Sequence, residues 1–319
     1  GGTGGIGAQI ARWLARRGAE HLVLVSRGGP DAPGAAELSE ELTGLGARTT
    51  LASCDVADLA ALRSLKEGLE RDGCEIRTVL HAAGGGSLVP LPDTDLAEFA
   101  ETLYAKVGGA RNLDLLFDGD GDGDGDGAGE GAGEGGGGPL DAFVLFSSIS
   151  GVWGSAIHGA YAAANAYLDG LAERRRARGR AATSVVWGIW SPEDGGGMAA
   201  NLVEEELRGH GILFMPPPVA ITGLQQVLDH DETVVLVADV DWERFAPVFT
   251  SARPSPLISE LPDVQAVLTA EREGDEAGAG GATGPSPTWS VRTRPACSAT
   301  TRRTPSPPAA PSATWASTR

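Results

Sequence analysis

Short apolar runs alternate with amphipathic stretches along most of the chain. Each apolar run is rich in β-branched or aliphatic side chains and predicts a buried strand. These runs are residues 22–25, 49–53, 78–81, 142–146, 184–187 and 233–238. Between them apolar residues recur at helical spacing, as in 8–17, 58–69, 96–117 and 219–228. Strands alternating with helices predict an α/β fold, a Rossmann-like doubly wound parallel sheet with helices on both faces.

The chain opens on a glycine-rich turn that leads directly into a helical pattern. Gly2, Gly4 and Gly7 fit G-x-G-x-x-G, while Gly1, Gly5 and Gly7 fit G-x-x-x-G-x-G. Backbone amides at such a helix start bind a pyrophosphate, so Gly2, Gly4, Gly5 and Gly7 are predicted to bind a dinucleotide. The sequence lacks the strand expected before this turn. We therefore expect a truncated N-terminus, a sheet without its central first strand, and poor folding of this chain alone.

Charge is concentrated in one low-complexity segment. Residues 118–138 contain five Asp, two Glu and no base, with no apolar side chain larger than alanine. This composition predicts a disordered acidic insert. The sequence does not indicate whether the insert has a role. The net charge of −18 disfavours nucleic-acid binding.

Composition narrows the classes of protein to which the chain can belong. No apolar run is long enough to span a membrane, and no signal sequence is present, so a cytoplasmic protein without membrane contact is expected. The cysteines Cys54, Cys74 and Cys297 have neither metal nor disulfide spacing, and no metal site is predicted.

The most informative segment is 142–176. Ser148 follows a strand pattern, and Tyr161 and Asn165 lie in the alanine-rich helical pattern that comes next. A serine at the end of a strand and a tyrosine thirteen residues later can face one pocket, as in the active site of a short-chain dehydrogenase/reductase. The sequence motif of this segment resembles that of the ketoreductase domain of a modular type I polyketide synthase; it reads Phe-Ser-Ser-x-x-Gly-x-Trp-Gly…Tyr-Ala-x-x-Asn-Ala-Tyr-Leu-Asp. This resemblance covers roughly residues 1–268.

The resemblance implies roles for four catalytic residues. Tyr161 is the proton donor, and Ser148 hydrogen-bonds the carbonyl oxygen, with Ser147 as the alternative serine. Most short-chain reductases carry a lysine four residues after the tyrosine, where this chain has Asn165. Lys106 matches the position that replaces it in polyketide ketoreductases. It is expected to lower the pKa of Tyr161 and hold the nicotinamide ribose, while Asn165 positions the lysine and a proton-relay water.

Cofactor choice is predicted from the end of the second strand. An NAD enzyme has an acidic residue there, whereas this chain has Ser26 and Arg27, which suit the 2′-phosphate of NADPH. Arg27 as an ordinary surface residue is the alternative. Asp55 resembles the family's adenine contact, or else is a helix N-terminal acid. The family's small-residue loop beside the cofactor is matched by Ala82, Ala83 and Gly84.

Two residues on the N-terminal side of Tyr161 bear on the stereochemistry of the product. Trp153 lies eight residues before Tyr161 and His158 three before it, and the Leu-Asp-Asp motif of B-type members is absent. This pattern resembles A-type ketoreductases, in which the tryptophan is expected to narrow one side of the substrate groove. It implies an L-β-hydroxyl product with an epimerised α-substituent. The alternatives are a core tryptophan and a surface histidine.

The tail is compositionally distinct from the rest. We predict a catalytic domain at 1–268 and a disordered tail or linker at 269–319. The last residues can be rewritten in the neighbouring reading frame as Arg-Asp-Leu-Gly-Phe-Asp-Ser, which resembles the attachment motif of an acyl carrier protein. The tail is thus also a candidate for the frame-shifted start of a carrier domain.

Together these features and the resemblance predict an oxidoreductase that acts in the biosynthesis of polyketide antibiotics. The expected reaction is NADPH-dependent reduction of a β-ketoacyl thioester to an L-β-hydroxyacyl thioester. The expected partners are a phosphopantetheine-bearing acyl carrier protein and the other domains of the synthase. A free-standing short-chain alcohol dehydrogenase and a catalytically silent structural domain are the alternatives.

Overall fold

The structure is a computed structural model. It describes residues 1–85, 89–117, 140–155, 158–192, 202–251 and 254–278, the last eight as backbone only. The predicted acidic insert at 118–138 and the tail from 279 onward lie outside the described residues.

The strands of the described part follow the predicted apolar runs, with three short additions near the C-terminal half. They are β1 (His21–Ser26), β2 (Arg48–Ser53), β3 (Thr78–His81), β4 (Ala142–Ser148), β5 (Thr183–Trp187), β6 (Ile189–Trp190), β7 (Ile212–Met215), β8 (Val234–Val237) and β9 (Asp239–Val240).

The α-helices of the described part alternate with these strands. They are α1 (Gly5–Arg16), α2 (Ala35–Gly44), α3 (Leu59–Arg71), α4 (Leu96–Leu103), α5 (Gly109–Phe117), α6 (Ile149–Trp153), α7 (Gly159–Ala177), α8 (Glu204–Gly209), α9 (Pro217–Asp229), α10 (Trp242–Thr250) and α11 (Pro262–Gly278). A π-helical turn, Tyr104–Gly108, joins α4 to α5. Each of these helices is too short or too polar to cross a lipid bilayer.

The main sheet is parallel, as predicted. Strands β3, β4, β5 and β8 are hydrogen-bonded neighbours in that order, and β1 pairs with β2 in a parallel ribbon. The register places Ser148 opposite Trp187, so β4 and β5 end at the same edge of the sheet. Ligands of such sheets bind at the carboxyl ends of the strands, where β4 leads into α6.

Both faces of the sheet are covered, which explains why β4 is buried along nearly its whole length. Ala142, Val144 and Phe146 face one hydrophobic core that includes residues of α1 and α9. Phe143 and Leu145 face the opposite core, formed with α3, α5 and α7. The alternation of strand side chains therefore distributes one apolar run between two cores.

A gap separates the two parts of the sheet. Within the described residues no strand pairs with both β1 and β3. Instead, a cavity of about 300 Å³ lies beside them, lined mainly by apolar groups such as Leu24, Leu80 and Val144 and by the backbone of Gly1 and Gly2. In the described part of the chain β1 and β3 therefore border this cavity instead of a shared strand.

Several predicted boundaries differ from the structure. In the segment 191–215 helix α8 is followed by β7, a strand outside the predicted apolar runs, because Ile212–Met215 pairs with β6 and β9. Residues 193–201 lie outside the described part. Helix α11 continues to Gly278, so the domain boundary predicted at 268 falls inside a helix.

Candidate active site

Ser148 and Tyr161 meet where β4 ends and α7 begins. Ser148 is the last residue of β4 and the N-cap of α6, and its hydroxyl accepts from the amide of Ser150 at 3.3 Å. The Ser148 side chain is one of the groups that lower the pKa of the Tyr161 phenol. Ser147 is buried, and its hydroxyl donates to the backbone oxygen of Asn165 at 3.2 Å. Ser148 therefore acts on the tyrosine, while the hydroxyl of Ser147 is bonded elsewhere.

Lys106 reaches the same place from the π-helical turn. Its side chain is 5% exposed, and Nζ donates to the backbone oxygen of Phe146 at 2.8 Å. The ammonium also lies 5.3 Å from the ring centroid of Tyr161. Burial lowers the pKa of Lys106 to about 8, and the carboxylate of Asp169 opposes this effect.

Burial determines the direction in which the pKa of Tyr161 is shifted. Burial raises the pKa of Tyr161, while contributions from Asn165 and Ser148 lower it by less. The Lys106 ammonium lies close enough to the ring to favour the phenolate. That Lys106 lowers the pKa of the phenol stays a prediction.

Asn165 is completely buried one turn after the tyrosine. Its amide nitrogen donates to the backbone oxygen of Tyr161 at 2.7 Å. Its Oδ1 has no hydrogen-bond partner among the described groups, although it is shielded from solvent. A buried acceptor without a partner fits a bound water, as the predicted proton-relay role requires.

The glycine turn forms a narrow cradle before α1. A Cβ added to Gly7 would lie 2.1 Å from the oxygen of Gly1, and one added to Gly1 would lie 2.6 Å from the oxygen of Ala82. A Cβ on Gly4 would be 3.4 Å from the oxygen of Gly1, and one on Gly5 would meet nothing within 4 Å. Free amides of the first turn of α1 therefore border an open volume, which suits a pyrophosphate.

The residues predicted to select the cofactor lie beside this cradle. Arg27 is exposed, directly after β1. Ser26 Oγ accepts from the amide of Gly29 at 3.0 Å. Asp55 Oδ1 accepts from the amide of Ala57 at 2.9 Å, so its carboxylate shapes the turn after β2.

The small-residue loop after β3 connects the cradle to the lysine. Ala82 and Ala83 approach Gly1, and a Cβ at Gly84 would lie 3.3 Å from Cδ of Lys106. This loop therefore lies between the glycine turn and the Lys106 side chain and is close to both. The structure brings the predicted cofactor and catalytic residues to one edge of the sheet.

Comparison with known proteins identifies the family. A family model described as KR domain matches residues 1–192, more than half of the chain. The chain belongs to the KR domain family. Its relatives include the Pikromycin polyketide synthase component PikAIII of Streptomyces venezuelae, 48% identical over 270 residues. Polyketide synthase GfsA of Streptomyces halstedii is 50% identical over 266 residues.

The KR domain is a small part of these relatives. The matches cover 85% and 83% of this chain but only 16% and 3% of the respective synthases. Among solved structures, an A1-type ketoreductase has 46% identity and a TM-score of 0.73, covering 84% of this chain and 52% of that chain. These similarities confirm the predicted α/β fold and the resemblance to ketoreductase domains of modular polyketide synthases.

Trp153 of this KR domain does not line an open groove. It is 4% exposed, and its ring lies 4.7 Å from that of Phe245 and 6.5 Å from that of Trp242, measured between centroids. The indole is thus part of a third core that α10 and α11 share with α6. Trp153 is thus the core residue that the sequence offered as the alternative, and a narrowing of the groove by this indole stays a prediction.

His158 of the KR domain does lie close to the site. Its ring centroid is 6.0 Å from that of Tyr161, and the hydroxyl of Ser155 lies 2.9 Å from its Nδ1. Burial lowers the pKa of His158, which favours the neutral ring near pH 7. The histidine is therefore placed to affect what approaches the tyrosine, rather than being an ordinary surface residue.

Two further polar residues of the KR domain were not predicted to belong to the site. His81 is fully buried, and its Nε2 donates to the backbone oxygen of Lys106 at 2.9 Å. Asp169 lies on α7 near the lysine. The only sequence signal for Asp169 was its spacing of four and eight residues from Asn165 and Tyr161. His81 sits at the end of a strand, where a structural role was the simpler expectation.

Replacing His81 by Phe should destabilise the KR domain by about 1–3 kcal/mol at pH 7.5, because the Lys106 oxygen loses its buried donor. Burial lowers the pKa of His81 from 6.5 to about 3. The unfolded chain therefore takes up a proton below pH 6.5 before the folded one does, and wild-type stability falls from there toward pH 3. His81→Phe lacks this fall, so the difference between the two proteins should shrink at pH 5. Urea unfolding at pH 7.5 and at pH 5 measures the free energy of unfolding of both proteins.

The matched control for this prediction is His230→Phe, at an exposed histidine. It should change neither the free energy of unfolding at pH 7.5 nor its pH dependence. A stability difference for His81→Phe that is the same at both pH values would contradict the prediction.

Proposed function

We propose that this chain reduces a β-ketoacyl thioester, bound to an acyl carrier protein, to an L-β-hydroxyacyl thioester with NADPH. The observation that carries this proposal is the position of the buried Lys106 ammonium, 5.3 Å from the ring centroid of Tyr161, in the site where Ser148 also acts on the phenol. A phenol and a hydroxyl that converge on one point, with an adjacent cation, suit a carbonyl oxygen that gains a proton as it is reduced.

Each residue has a distinct task in this reaction. The nicotinamide, when bound, supplies the hydride. Tyr161 donates the proton to the carbonyl oxygen, and Ser148 donates a hydrogen bond to the same oxygen as negative charge develops. Lys106 holds the positive charge that favours the phenolate left behind. Asn165 holds a water that returns the proton to the tyrosine.

The glycine turn fits a dinucleotide, since only glycine at position 7 lets the turn pass so close to Gly1. The amides of Gly5 and Gly7 would hold the pyrophosphate. Gly2 and Gly4 would shape the turn, because their amides donate to the oxygens of Val25 and Gly1. The loop of Ala82, Ala83 and Gly84 would lie beside the cofactor. Arg27 and Ser26 favour NADPH, because the exposed guanidinium can pair with a 2′-phosphate. Asp55 is proposed to contact the adenine.

The partners follow from the relatives, which are polyketide synthases. We propose that the chain acts in the cytoplasm as one domain of such a synthase. A carrier protein would deliver the substrate on phosphopantetheine, and neighbouring synthase domains would supply and consume the acyl chain. The L configuration rests on similarity to solved A-type ketoreductases, which are 46% and 45% identical. An epimerised α-substituent rests on His158 beside Tyr161.

The test is NADPH oxidation with a racemic 2-methyl-3-ketoacyl thioester, followed by chiral analysis of the product. The expected product is the L-hydroxy, α-epimerised diastereomer, and NADPH should be preferred over NADH. Arg27→Ala should raise KM for NADPH and leave KM for NADH nearly unchanged, since only the 2′-phosphate contact is lost.

Each other outcome contradicts a defined part of the proposal. A D-configured product would overturn the stereochemical assignment but not the reductase. Activity on free small ketones and none on thioesters would favour a free-standing alcohol dehydrogenase. NADPH binding without turnover of any ketone would indicate a structural domain. A cofactor preference that Arg27→Ala leaves unaltered would remove the basis for NADPH.

A further inference from the structure

A histidine and an arginine contact Cys74 at the edge of the sheet opposite the candidate active site. His21 begins β1 and Arg48 begins β2, and the parallel register pairs the two residues. Cys74 lies between the end of α3 and the start of β3. Ser148, by contrast, lies where β4 ends. The cluster is therefore separate from the place where the predicted reductase residues meet.

The end of α3 fixes the position of the Cys74 thiol. Gly73 has a φ of 77°, and its amide donates to the oxygen of Glu70 at 3.0 Å. The amide of Cys74 donates to the oxygen of Leu69 at 2.9 Å, which completes a Schellman motif. The motif turns the chain inward, so that Cys74 is only 7% exposed.

The thiol contacts both a base and a cation. Sγ of Cys74 lies 3.6 Å from Nδ1 of His21 and 3.5 Å from Nη2 of Arg48. Arg48 has only donors and bonds Nδ1 at 2.9 Å, so Nδ1 is an acceptor and the ring proton is on Nε2. Nε2 donates to Oγ1 of Thr50 at 2.8 Å, which orients the ring. A nucleophile beside a base that a third group orients is the arrangement found in nucleophilic catalysis.

The state of His21 suits it to accept a proton. Burial, and after it the charge of Arg48, lowers the pKa of His21 below its usual value, so the ring is neutral near pH 7. Nδ1 can therefore take the proton of the thiol. Arg48, which also contacts the sulfur, would stabilise the thiolate that results.

Space for a small reagent adjoins the thiol. Cys74 and His21 both line the cavity of about 300 Å³ beside β1 and β3, whose walls are mainly apolar. This volume is several times the roughly 30 Å³ that a water molecule occupies in the liquid. A small uncharged molecule can therefore lie beside the sulfur.

We propose that Cys74 is a modification site, a thiol that His21 and Arg48 activate for oxidation by hydrogen peroxide. Sγ attacks one oxygen of the peroxide, so that an S–O bond forms as the O–O bond breaks. The thiol proton passes to Nδ1 of His21 and then to the departing hydroxide, which leaves as water. The sulfur is oxidised to a sulfenic acid, and the peroxide, supplied from outside the protein, is reduced by the same two electrons. This reactivity is independent of the proposed reductase function.

Cys54 serves as the internal reference for this reactivity. It is also 7% exposed, so burial does not distinguish the two thiols. Burial and the charges of Asp58 and Asp55 raise the pKa of Cys54, which disfavours its thiolate. The neighbours of Cys54 therefore oppose the step that the neighbours of Cys74 support.

The test measures the sulfenic acid formed at each cysteine of the full chain. The protein is treated with hydrogen peroxide and dimedone, which traps sulfenic acids, and mass spectrometry of tryptic peptides gives a rate for each residue. Arg63 and Arg71 lie between Cys54 and Cys74, so trypsin places the two cysteines in different peptides. Cys74 should react at least about tenfold faster than Cys54. Equal rates would mean that a common opening of the domain exposes both thiols, and the proposal would fail.

Two variants test the activating groups. Arg48→Gln should lower the Cys74 rate by about tenfold or more and leave the Cys54 rate unchanged, because the thiolate loses its cation. His21→Phe should have a similar effect, because the base is lost. If both variants leave the Cys74 rate unchanged, the cluster does not activate the thiol and the proposal is wrong.

Arg77→Gln is the matched control. It removes the same charge from the same edge of the sheet, at a residue that is paired with Asp141. The Cys74 rate should stay nearly unchanged in this variant. A fall as large as that in Arg48→Gln would mean that any cation at this edge has the effect, and it would overturn the role of Arg48.

A general change in the stability of the fold is separated by the reference cysteine. If Arg48→Gln lowers the Cys74 and Cys54 rates in the same proportion, the effect is not local to the cluster and the proposal fails. If His21→Phe does not fold, Arg48→Gln still decides, because Arg48 is exposed and its replacement leaves no buried gap.

Discussion

Tyr161→Phe should lower kcat by about 10²–10⁴-fold and leave the Kd for NADPH unchanged, as expected for loss of a general acid. Phenylalanine keeps the ring that packs against Lys106 and His158, so the surroundings of the site should be preserved. Only the phenol hydroxyl, on whose pKa Ser148 acts, is removed. Steady-state turnover with a β-ketoacyl thioester and NADPH fluorescence titration measure the two quantities.

Tyr167→Phe is the matched control, since Tyr167 lies on the same helix but packs into the core between α3, α5 and α7. It should keep wild-type turnover within a small factor. If Tyr161→Phe retained full turnover, another group would have to donate the proton. If both variants lost activity equally, the effect would come from the helix rather than from the tyrosine of the site.

Gly7→Ala should abolish tight NADPH binding. The added Cβ would lie 2.1 Å from the oxygen of Gly1, a backbone atom, so the turn must open. Opening the turn misdirects the amides that hold the pyrophosphate. We expect Kd to rise by about 10²-fold or more, the equivalent of losing two hydrogen bonds to a charged group. Isothermal titration calorimetry measures this directly.

Gly68→Ala provides the comparison. Gly68 lies within α3, and a Cβ there meets only the far end of Arg71 at 3.8 Å. Alanine is also the better helix former, so this variant should bind NADPH normally and be slightly more stable. Tight NADPH binding by Gly7→Ala would show that the glycine turn is not the pyrophosphate cradle.

The central part of the fold could be predicted because local rules determine it. The apolar run 142–146 needs burial on both faces, which specifies a central strand such as β4. The thirteen-residue spacing of Ser148 and Tyr161 brings them together because one ends a strand and the other begins the next long helix. For the same reason the choice between Ser147 and Ser148 followed from the spacing alone.

Tertiary packing decides what the sequence could not indicate. Trp153 has the spacing typical of a stereocontrol residue, yet α10 and α11 cover it because their apolar faces need a partner. The position of Lys106 matched a family pattern, but the direction of its ammonium depends on Phe146, forty residues away. Strand β7 was not predicted, because a short run such as 212–215 becomes a strand only through its neighbours β6 and β9.

The bond from Lys106 to Phe146 also closes a loop of 40 residues, which contains the whole Gly/Asp/Glu-rich segment 118–138. The entropy lost when a flexible loop closes grows only with the logarithm of its length, by about 0.6 kcal/mol for each doubling. A chain can therefore gain or lose many residues between α5 and β4 at little thermodynamic cost to the contact. The length of the segment that joins Lys106 to β4 therefore has little effect on the stability of the contact between them.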